Sequence, residues 1–351
     1  MLTPHGALVR IIHSLAPIRI CDTGGWTDTW FAQHGAIFNL AVSPYAEVQI
    51  EVLAAPAEPG RVAIYAENYG DRYVVDRAAG NWGRHPLLEA AVERMRVPPE
   101  LSLQITVFCE APAGASTGTS AAVAVALVGA LDCLTPGRLS AHEVACTAHA
   151  VEVEMLQRQS GIQDQLCSAY GGINYIEMFA YPRASVSQLN VPLDTWSELE
   201  RRLALIYLGT GHDSSRIHQK VIRELQDAGP GCPQLNDLRR CAARSRDALL
   251  SADFAALGRA MCDNTEAQGR LHPDLVGLDA VRVIAIARAY GAAGWKVNGA
   301  GGEGGSLTIL TGTHSHQKRA MIRAIEAEPG MRSIPVRLSR HGLRVWETSL
   351  P

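Results

Sequence analysis

The sequence lacks the features that mark secreted, membrane-bound and nucleic-acid-binding proteins. Its eight cysteines are scattered without a CxxC pair, several of them in apolar or helical runs, which is typical of reduced, buried thiols. No basic run stands out and the formal net charge is −3, so neither nucleic acid nor a membrane surface is expected as a partner. The longest apolar run, residues 121–131, is too short to span a bilayer, and the N-terminus lacks a signal-peptide pattern. These absences predict a soluble, cytoplasmic protein.

The length and composition are those of an ordinary globular enzyme. The chain has 351 residues, enough for two domains or one large one, of which 47% are hydrophobic and 19% charged. It contains no internal repeat and no low-complexity tail. Residues 182–197 read as a loop, so we expect a boundary there between an N-terminal domain, residues 1–190, and a C-terminal domain, residues 191–351.

The most distinctive stretch is a glycine-rich loop that runs into an apolar helix. Residues 111–131 read APAGASTGTSAAVAVALVGAL. Glycines let successive backbone N–H groups point at one position, and the N-terminus of the helix adds unpaired N–H groups, which together suit a phosphate. Ser116, Thr117, Thr119 and Ser120 add hydroxyls that can reach a phosphate oxygen or a magnesium ion. The alternative is a loop that only caps a buried helix, and for such a loop alone that is the more common case.

A second stretch, near the N-terminus, combines a basic residue with an acidic one around a glycine turn. It contains Arg19, Gly24, Gly25, Thr27 and Asp28 within the sequence PIRICDTGGWTD. A carboxylate on a tight turn can accept hydrogen bonds from neighbouring sugar hydroxyls. Simple surface chemistry is the alternative for this stretch.

Two further stretches carry candidate residues. Glu152 and Glu154 lie on a predicted helix, and an acidic residue beside a phosphate loop is a natural magnesium ligand. Asp164, in the turn GIQDQ, could accept a proton from a hydroxyl, although an Asp that caps a helix is more common. The stretch WKVNGAGGEGG at residues 295–305 could let backbone approach a ligand closely, or could form only a tight turn.

In this order the four stretches resemble the GHMP kinases (galacto-, homoserine, mevalonate and phosphomevalonate kinases). The matching pattern is Pro-x-Arg with Thr-Asp, then the phosphate loop, the acidic helix with GxxDQ, and the GAGG turn, from about residue 16 to 310. Within the family, GGWTD, GIQDQLCSAYGGINYIE and GWKVNGAGG look most like the heptose 7-phosphate kinases and the kinase part of fucokinases. Both of these groups phosphorylate the anomeric hydroxyl of a sugar.

The resemblance implies a two-domain α+β GHMP kinase fold. The N-terminal domain would resemble ribosomal protein S5 domain 2, the C-terminal domain would be ferredoxin-like, and the active site would lie in the cleft between them. ATP and Mg²⁺ would be the cofactors, a sugar or sugar phosphate the substrate, and the protein a monomer or homodimer.

The resemblance also implies a role for each motif. Asp164 would take the proton of the attacking hydroxyl, and Arg19 would keep Asp164 ionised and neutralise charge on the transferred phosphoryl group. Ser120 and Glu152 would hold magnesium. The ATP phosphates would lie on Pro112, Gly114, Ala115, Ser116, Thr117, Gly118, Thr119 and Ser120. The sugar would contact Gly24, Gly25, Thr27, Asp28, Gly299, Ala300, Gly301 and Gly302.

The sequence departs from the family pattern at three positions and leaves the substrate open. Ser116 and Thr117 stand where the family has glycine and leucine, and Glu303 interrupts the last glycine motif. A sugar-binding protein without turnover is therefore one alternative, and a kinase for mevalonate or homoserine is another, although Asp28 would repel their carboxylates. A heptose 7-phosphate would need a second cationic site. The unranked candidates for it are His34, Arg61, His212, Arg216 and His218.

Overall fold

Two β-sheets with helices packed on them form the part of the chain that the structure describes. A computed structural model describes residues 7–54, 58–76, 82–209, 214–225, 227 and 229–349. The strands are β1 (Ala7–Thr23), β2 (Gly35–Ala54), β3 (Val62–Ala66), β4 (Asp71–Val74), β5 (Ser102–Cys109), β6 (Ile173–Ala180), β7 (Arg183–Gln188), β8 (Leu203–Tyr207), β9 (Gly294–Val297), β10 (Ser306–Leu310), β11 (Arg332–Ile334) and β12 (Arg344–Ser349). The helices are α1 (Pro86–Arg94), α2 (Thr119–Asp132), α3 (Ala141–Ala150), α4 (Gln163–Tyr170), α5 (Leu193–Arg202), α6 (Ser214–Leu225), α7 (Pro233–Leu250), α8 (Phe254–Leu271), α9 (Leu278–Ala289) and α10 (Ser315–Glu326).

The first sheet contains the two longest described strands and carries the N-terminal motifs. Its order is β12-β1-β2-β5-β3-β4, and β6 pairs with the first half of β2 and with β7. The pairs are antiparallel except β3 with β5, which run parallel. The second half of β1 is buried on both faces, because α2 and α4 pack on one side and α7 also contacts this strand. Strand β1 thereby delivers its C-terminal end, with Arg19, into the interior.

Pro17 lies inside β1, where the sequence alone suggests a break between two strands. The structure has one strand of 17 residues, with a shift in the pairing register between Pro17 and Ile18 opposite β2. Proline has no N–H to donate, and strands accommodate it at such irregularities. The shift separates the outer half of the strand, which pairs with β12, from the inner half, which leads to the candidate site.

Helix α2 is the centre of the hydrophobic core beside this sheet. Its residues from Ala121 to Asp132 are buried apart from half-buried Val123, and its alanines and Gly129 permit close packing against β1 and β2. Gly129 touches the Leu343 side chain so closely that a Cβ atom there would lie 2.5 Å from it. A helix buried on all sides must end where its polar backbone groups find partners or solvent, and the N-terminus of α2 opens into a cleft.

The second sheet, with order β11-β8-β10-β9, is connected to the first through two helices and the last strand. Helices α7 and α8 pack on each other, α7 also contacts β1 and β2, and α8 contacts β9 and β1. Strand β12 follows the second sheet in the chain but pairs with β1. The α+β character expected from the resemblance is therefore confirmed, and within the described ranges no helix is long and apolar enough to cross a membrane.

The reading of residues 182–197 as a loop is wrong. Residues 183–188 form β7, which pairs with β6, and α5 begins at Leu193. Strand β7 is short and polar because it lies at the edge of the sheet, so its sequence lacks the apolar run typical of a buried strand. The domain boundary inferred from that reading, after residue 190, stays a prediction.

Candidate active site

A cleft of about 700 Å³ brings together most of the residues singled out in the sequence. It opens at the N-terminus of α2, and the glycine loop, the end of β1 and the start of α4 form its walls. Gln219 of α6 and the turn after β9 contribute from the C-terminal part of the chain. The predicted site residues that line it are Arg19, Asp28, Gly114, Ala115, Ser116, Thr117, Gly118, Thr119, Ser120, Glu152, Asp164, Gly299 and Ala300.

The remaining predicted residues do not line this cleft. The Thr27 hydroxyl donates to the Gly24 carbonyl at 2.7 Å, and the Gly24 N–H donates to Asn264 at 2.7 Å, so both shape the turn that leads to Asp28. Gly302 donates to the Leu275 carbonyl at 3.0 Å, behind the cleft. The others outside the lining are Pro112, Gly25 and Gly301.

The candidates for a second cationic site also fall elsewhere. Arg61 forms an ion pair with Glu58 at 3.3 Å, and the carbonyl of His34 accepts hydrogen bonds from Arg239. Neither lines the cleft. His212 and the side chains of Arg216 and His218, two residues of α6, lie outside the described part of the structure.

The glycine loop turns sharply between β5 and α2. Gly114, Ser116 and Gly118 have φ angles of +73°, +56° and +67°, so the chain passes through the left-handed region three times in five residues. The loop is held from two directions, because the Arg19 N–H donates to the Thr117 carbonyl at 3.0 Å and the Ser306 hydroxyl donates to the Ala115 carbonyl. The first turn of α2, from Thr119 to Ala121, faces the cleft, which suits an anion.

Arg19 and Asp164 form a two-pronged ion pair at the floor of the cleft. Nε of Arg19 donates to Oδ1 of Asp164 at 2.6 Å and Nη2 donates to Oδ2 at 3.1 Å, while Nη1 donates to the Ser116 carbonyl. Burial alone would lower the pKa of Arg19, but Asp164 and Asp22 outweigh it and raise that pKa further. The Asp164 side chain keeps a quarter of its surface exposed, so it can still meet a ligand.

Asp28 is a buried carboxylate that contacts the first residue of α4. Its Oδ2 accepts the backbone N–H of Gln163 at 3.1 Å, and the residue is 3% exposed. Gly161 permits this close approach, since a Cβ atom there would lie 1.9 Å from Oδ2 of Asp28. Burial, with a contribution from Asp164, raises the pKa of Asp28 to about 6.

Glu152 lies in a π turn, Val151–Met155, that follows α3. It is 6% exposed, it lines the cleft, and its Oε1 has no hydrogen-bond partner among the described residues. Burial and the nearby charge of Asp164 raise the pKa of Glu152 to about 7. Glu154 instead points to solvent, where it pairs with Arg94 at 3.6 Å, as expected for a side chain two residues further on. The π turn is a feature often found at functional sites.

The donor set beside the loop fits a metal ion that also binds phosphate. Among the described residues no group of three His, Cys, Asp or Glu side chains could hold a metal alone. Magnesium, however, is commonly bound by one or two carboxylates together with substrate phosphates and water. The unpartnered Oε1 of Glu152 and the exposed Ser120 both border the cleft at the phosphate loop, so these residues fit Mg²⁺ with a nucleotide.

Three charged residues of the site were missed in the sequence. Asp22, 0% exposed, lines the cleft near Arg19, and Lys296, 1% exposed, lies next to Asp22. Arg158 lines the cleft after the π turn. A signal existed for Lys296, because it is the one charge in the apolar strand GWKV, and for Asp22, because it is an acidic residue three positions after Arg19 in the largely buried end of β1. Arg158 lies in a polar stretch that gives no such signal.

Gly118→Ala is expected to abolish or strongly weaken ATP binding. A Cβ atom at Gly118 would lie 3.1 Å from Cγ of Asp164 and 3.2 Å from Cγ of Arg19, and φ is +67° there. Calorimetric titration with ATP and Mg²⁺ measures the loss. Gly70→Ala is the matched control, because φ is +61° and nothing lies within 4 Å of its added Cβ, so it imposes the same backbone strain of about 1 kcal/mol without the collision. Equal ATP affinity in both variants would contradict the assignment of this loop to the ATP site.

Asp28→Asn is expected to stabilise the fold at high pH only. Because the folded-state pKa of about 6 exceeds the ordinary value of 3.8, ionising Asp28 costs stability as pH rises through this window. The variant should gain up to about 3 kcal/mol in unfolding free energy at pH 8, from about 1.4 kcal/mol per pKa unit, and nothing at pH 3. Thermal midpoints at pH 3, 5 and 8 test this, with exposed Asp194→Asn as the control. A gain that does not depend on pH would contradict it.

Comparisons with known proteins agree on one family. The family model described as the N-terminal domain of GHMP kinases matches residues 86–172. The mevalonate kinase of Thermococcus sibiricus is 30% identical over 250 residues, which are 69% of this chain and 68% of that protein. The D-glycero-alpha-D-manno-heptose 7-phosphate kinase of Campylobacter jejuni is 23% identical over 347 residues, 96% of this chain and 99% of that protein.

A solved structure supports the same fold. The structure described as a D-glycero-D-manno-heptose 1-phosphate kinase from Bacteroides thetaiotaomicron superposes with a TM-score of 0.74. It is 23% identical and covers 95% of this chain and 98% of its own. The fold class expected from the resemblance is thereby confirmed. With the motifs, the fold and these relatives in agreement, the chain belongs to the GHMP kinase family.

Proposed function

We propose that this kinase transfers the γ-phosphate of ATP to the anomeric C1 hydroxyl of a sugar or sugar phosphate, with a heptose 7-phosphate as the favoured acceptor. The observation that carries the proposal is the Arg19–Asp164 pair at the N-terminus of α2, with Asp28 buried nearby. GHMP kinases use ATP, and the Campylobacter jejuni relative, matched over 96% of this chain, is named a heptose 7-phosphate kinase.

The nucleotide phosphates lie on the loop from Gly114 to Ser120 and on the first turn of α2, the part of the predicted loop that lines the cleft. The left-handed residues turn the loop around the cleft, and the helix dipole favours a negative charge at this end. Glu152 and Ser120 would hold Mg²⁺ beside the nucleotide phosphates, where the ion would supply positive charge.

Asp164 receives the proton of the attacking hydroxyl. As the sugar oxygen bonds to the γ-phosphorus, the bond from that phosphorus to the bridging oxygen breaks, and ADP leaves with that electron pair. Arg19 fixes both oxygens of Asp164 and keeps positive charge beside the transferred group. Because the transition state is loose, the main contribution of Asp164 is to orient the hydroxyl and to accept its proton late.

Asp28 binds the sugar through hydroxyl groups. A carboxylate that is 3% exposed and has a pKa of about 6 lowers the stability of the fold at neutral pH, and such a cost is typical of residues kept for binding.

A kinase for mevalonate is the second candidate function, favoured by the relative that is 30% identical. The charge of Asp28 argues against it, because a carboxylate substrate would be repelled.

Arg158 supplies the second cation for a phosphorylated acceptor. Among the described residues that line the cleft, the basic ones are Arg19 and Arg158, and Arg19 is occupied by Asp164. Arg158 is exposed and lies between Glu152 and the turn that contacts Asp28. A terminal phosphate on the sugar would reach it more readily than His34 or Arg61, which lie outside the cleft.

The reaction is tested by phosphorus NMR of the products from a sugar panel with ATP and Mg²⁺. An anomeric phosphate couples to the C1 proton, and this coupling is the expected result. Asp164→Asn keeps the shape of the side chain and loses its basicity, so kcat should fall about 10²–10⁴-fold with sugar affinity nearly unchanged. A phosphate on a primary hydroxyl would contradict the anomeric assignment but not the assignment as a kinase. Sugar binding without ATP consumption would favour a sugar-binding protein.

The same panel pairs each free sugar with its terminal phosphate. If the phosphorylated form is the substrate, its kcat/KM should exceed that of the free sugar, and Arg158→Gln should remove the preference by raising KM. Equal kcat/KM values for the two forms would indicate that the natural acceptor is a free sugar, as in a fucokinase.

Glu152→Gln is expected to lower turnover strongly while the thermal midpoint stays at or above that of the parent. The change removes a buried carboxylate whose pKa is already raised, so the fold does not need its charge. Glu154→Gln is the matched control on the same turn, because Glu154 is exposed and lies outside the cleft. Turnover is measured against Mg²⁺ concentration. Equal losses in the two variants would contradict the assignment of Glu152.

A further inference from the structure

Along the wall of the cleft, four side chains of alternating charge follow one another from Lys296 in the second sheet to the candidate base, and Asp22, Arg19 and Asp164 of this row line the cleft. Nζ of Lys296 lies 3.4 Å from Oδ1 of Asp22, which lies 3.9 Å from Nη1 of Arg19, and Arg19 in turn holds Asp164. Lys296 and Asp22 are 1% and 0% exposed, so these two charges are buried, although Asp22 borders the cleft beside Arg19.

Asp22 is also bonded to the glycine turn after β9. The Gly299 N–H lies 3.1 Å from each of its carboxylate oxygens. Burial would raise the pKa of Asp22, but Arg19, Lys296 and this N–H outweigh it and hold the pKa below its usual value. The Lys296 amine donates to Gln268 at 3.0 Å, and Gln268 donates to the Gly299 carbonyl at 3.1 Å. Asp22 of β1 is thus connected to β9 through Lys296, and through Lys296 to Gln268 of α8.

This placement fixes the guanidinium of Arg19 on every side. Nε and Nη2 are used by Asp164, Nη1 is used by Ser116 and lies near Asp22, and a Cβ atom on Gly299 would come within 3.2 Å of Nη2. A buried ion pair contributes little net stability compared with apolar residues of the same size. Retention of two buried charges therefore needs a reason beyond stability.

We propose that Asp22 is a positioning residue for phosphoryl transfer, which holds Arg19 in the orientation that grips Asp164 and ties the Gly299 turn to the same pair. Lys296 neutralises Asp22 and allows it to stay ionised in the interior. The inference rests on the proposed function for its kinetic consequence, whereas the orientation of Arg19 can be observed without turnover.

The alternative is that Asp22 and Lys296 only join β1 to β9. The two ideas differ in the Asp22→Asn/Lys296→Met double variant, which removes both charges and leaves no unpaired ion. If the pair only joins the strands, the double variant should recover stability and turnover together. If Asp22 positions Arg19, stability should recover and turnover should not.

The experiment compares the parent, Asp22→Asn, Lys296→Met and the double variant. In the double variant we expect a thermal midpoint near that of the parent, kcat lower by about 10–100-fold, and KM values for ATP and sugar within about threefold. Lys318→Met is the control for loss of stability alone, because Lys318 is a partly buried lysine outside the cleft that donates to the Arg201 and Leu203 carbonyls. It should lower the midpoint without lowering kcat.

A second measurement separates failure of this inference from failure of the proposed function. The Nε–H resonance of Arg19 in ¹⁵N NMR, assigned through its loss in Arg19→Lys, reports how firmly Asp164 holds the guanidinium. Its exchange with water should be at least about tenfold faster in the double variant than in the parent, whichever acceptor the enzyme uses. If the Nε–H of Arg19 exchanges with water as slowly in a stable double variant as in the parent, the inference is overturned. This holds whether kcat is that of the parent or no acceptor is found.

Discussion

The site depends on one interaction, the paired hydrogen bonds between Arg19 and Asp164. The partners are 145 residues apart, and two other segments, the glycine loop and the Gly299 turn, converge on them. The glycine loop supplies the Ser116 carbonyl to Nη1, Gly118 leaves room beside both side chains, and the Gly299 turn packs against the guanidinium. A larger residue at either glycine would push into the pair. The glycine motifs of this chain therefore make room for an ion pair as well as for a ligand.

The distribution of charged side chains around the cleft explains why the pKa values of its acidic residues shift in different directions. Asp22, Asp28, Glu152 and Asp164 lie near one another, and the basic groups among them are Arg19, Lys296 and Arg158. Arg19 and Lys296 pair with Asp22 and Asp164, so within the described part of the chain no cation outweighs the burial of Asp28 and Glu152, and their pKa values rise to about 6 and about 7. An anionic nucleotide would meet repulsion from these acids unless a cation came with it. This imbalance favours binding of ATP together with a divalent ion.

The local motifs of this site could be predicted from the sequence, and its long-range contacts could not. Gly118, Glu152 and Asp164 are recognisable from their neighbours in the chain, and the family order indicates that they meet. The contact of Asp22 with Lys296 joins residues 274 apart, and only closure of the second sheet against β1 brings them together. The π turn at Glu152 is invisible in an ordinary helical pattern, and polar edge strands such as β7 carry no apolar signal. Thr27 and Gly302, for which sugar contacts are predicted, do not line the cleft, and their hydrogen bonds shape the turns beside it.

The departures from the family loop are explained by the same ion pair. Ser116 stands where glycine is expected and still adopts a φ of +56°, a conformation that costs a non-glycine residue about 1 kcal/mol or more. Its carbonyl accepts the hydrogen bond of Arg19, and this bond holds the peptide in the strained orientation. Thr117, 1% exposed, occupies the leucine position by burying its side chain and bonding its hydroxyl to that of Thr119 at 3.2 Å. Glu303 is exposed and does not line the cleft. The left-handed turn of the loop is therefore kept by Arg19 rather than by glycine at position 116, so the residue that grips Asp164 also shapes the loop that we propose as the phosphate site.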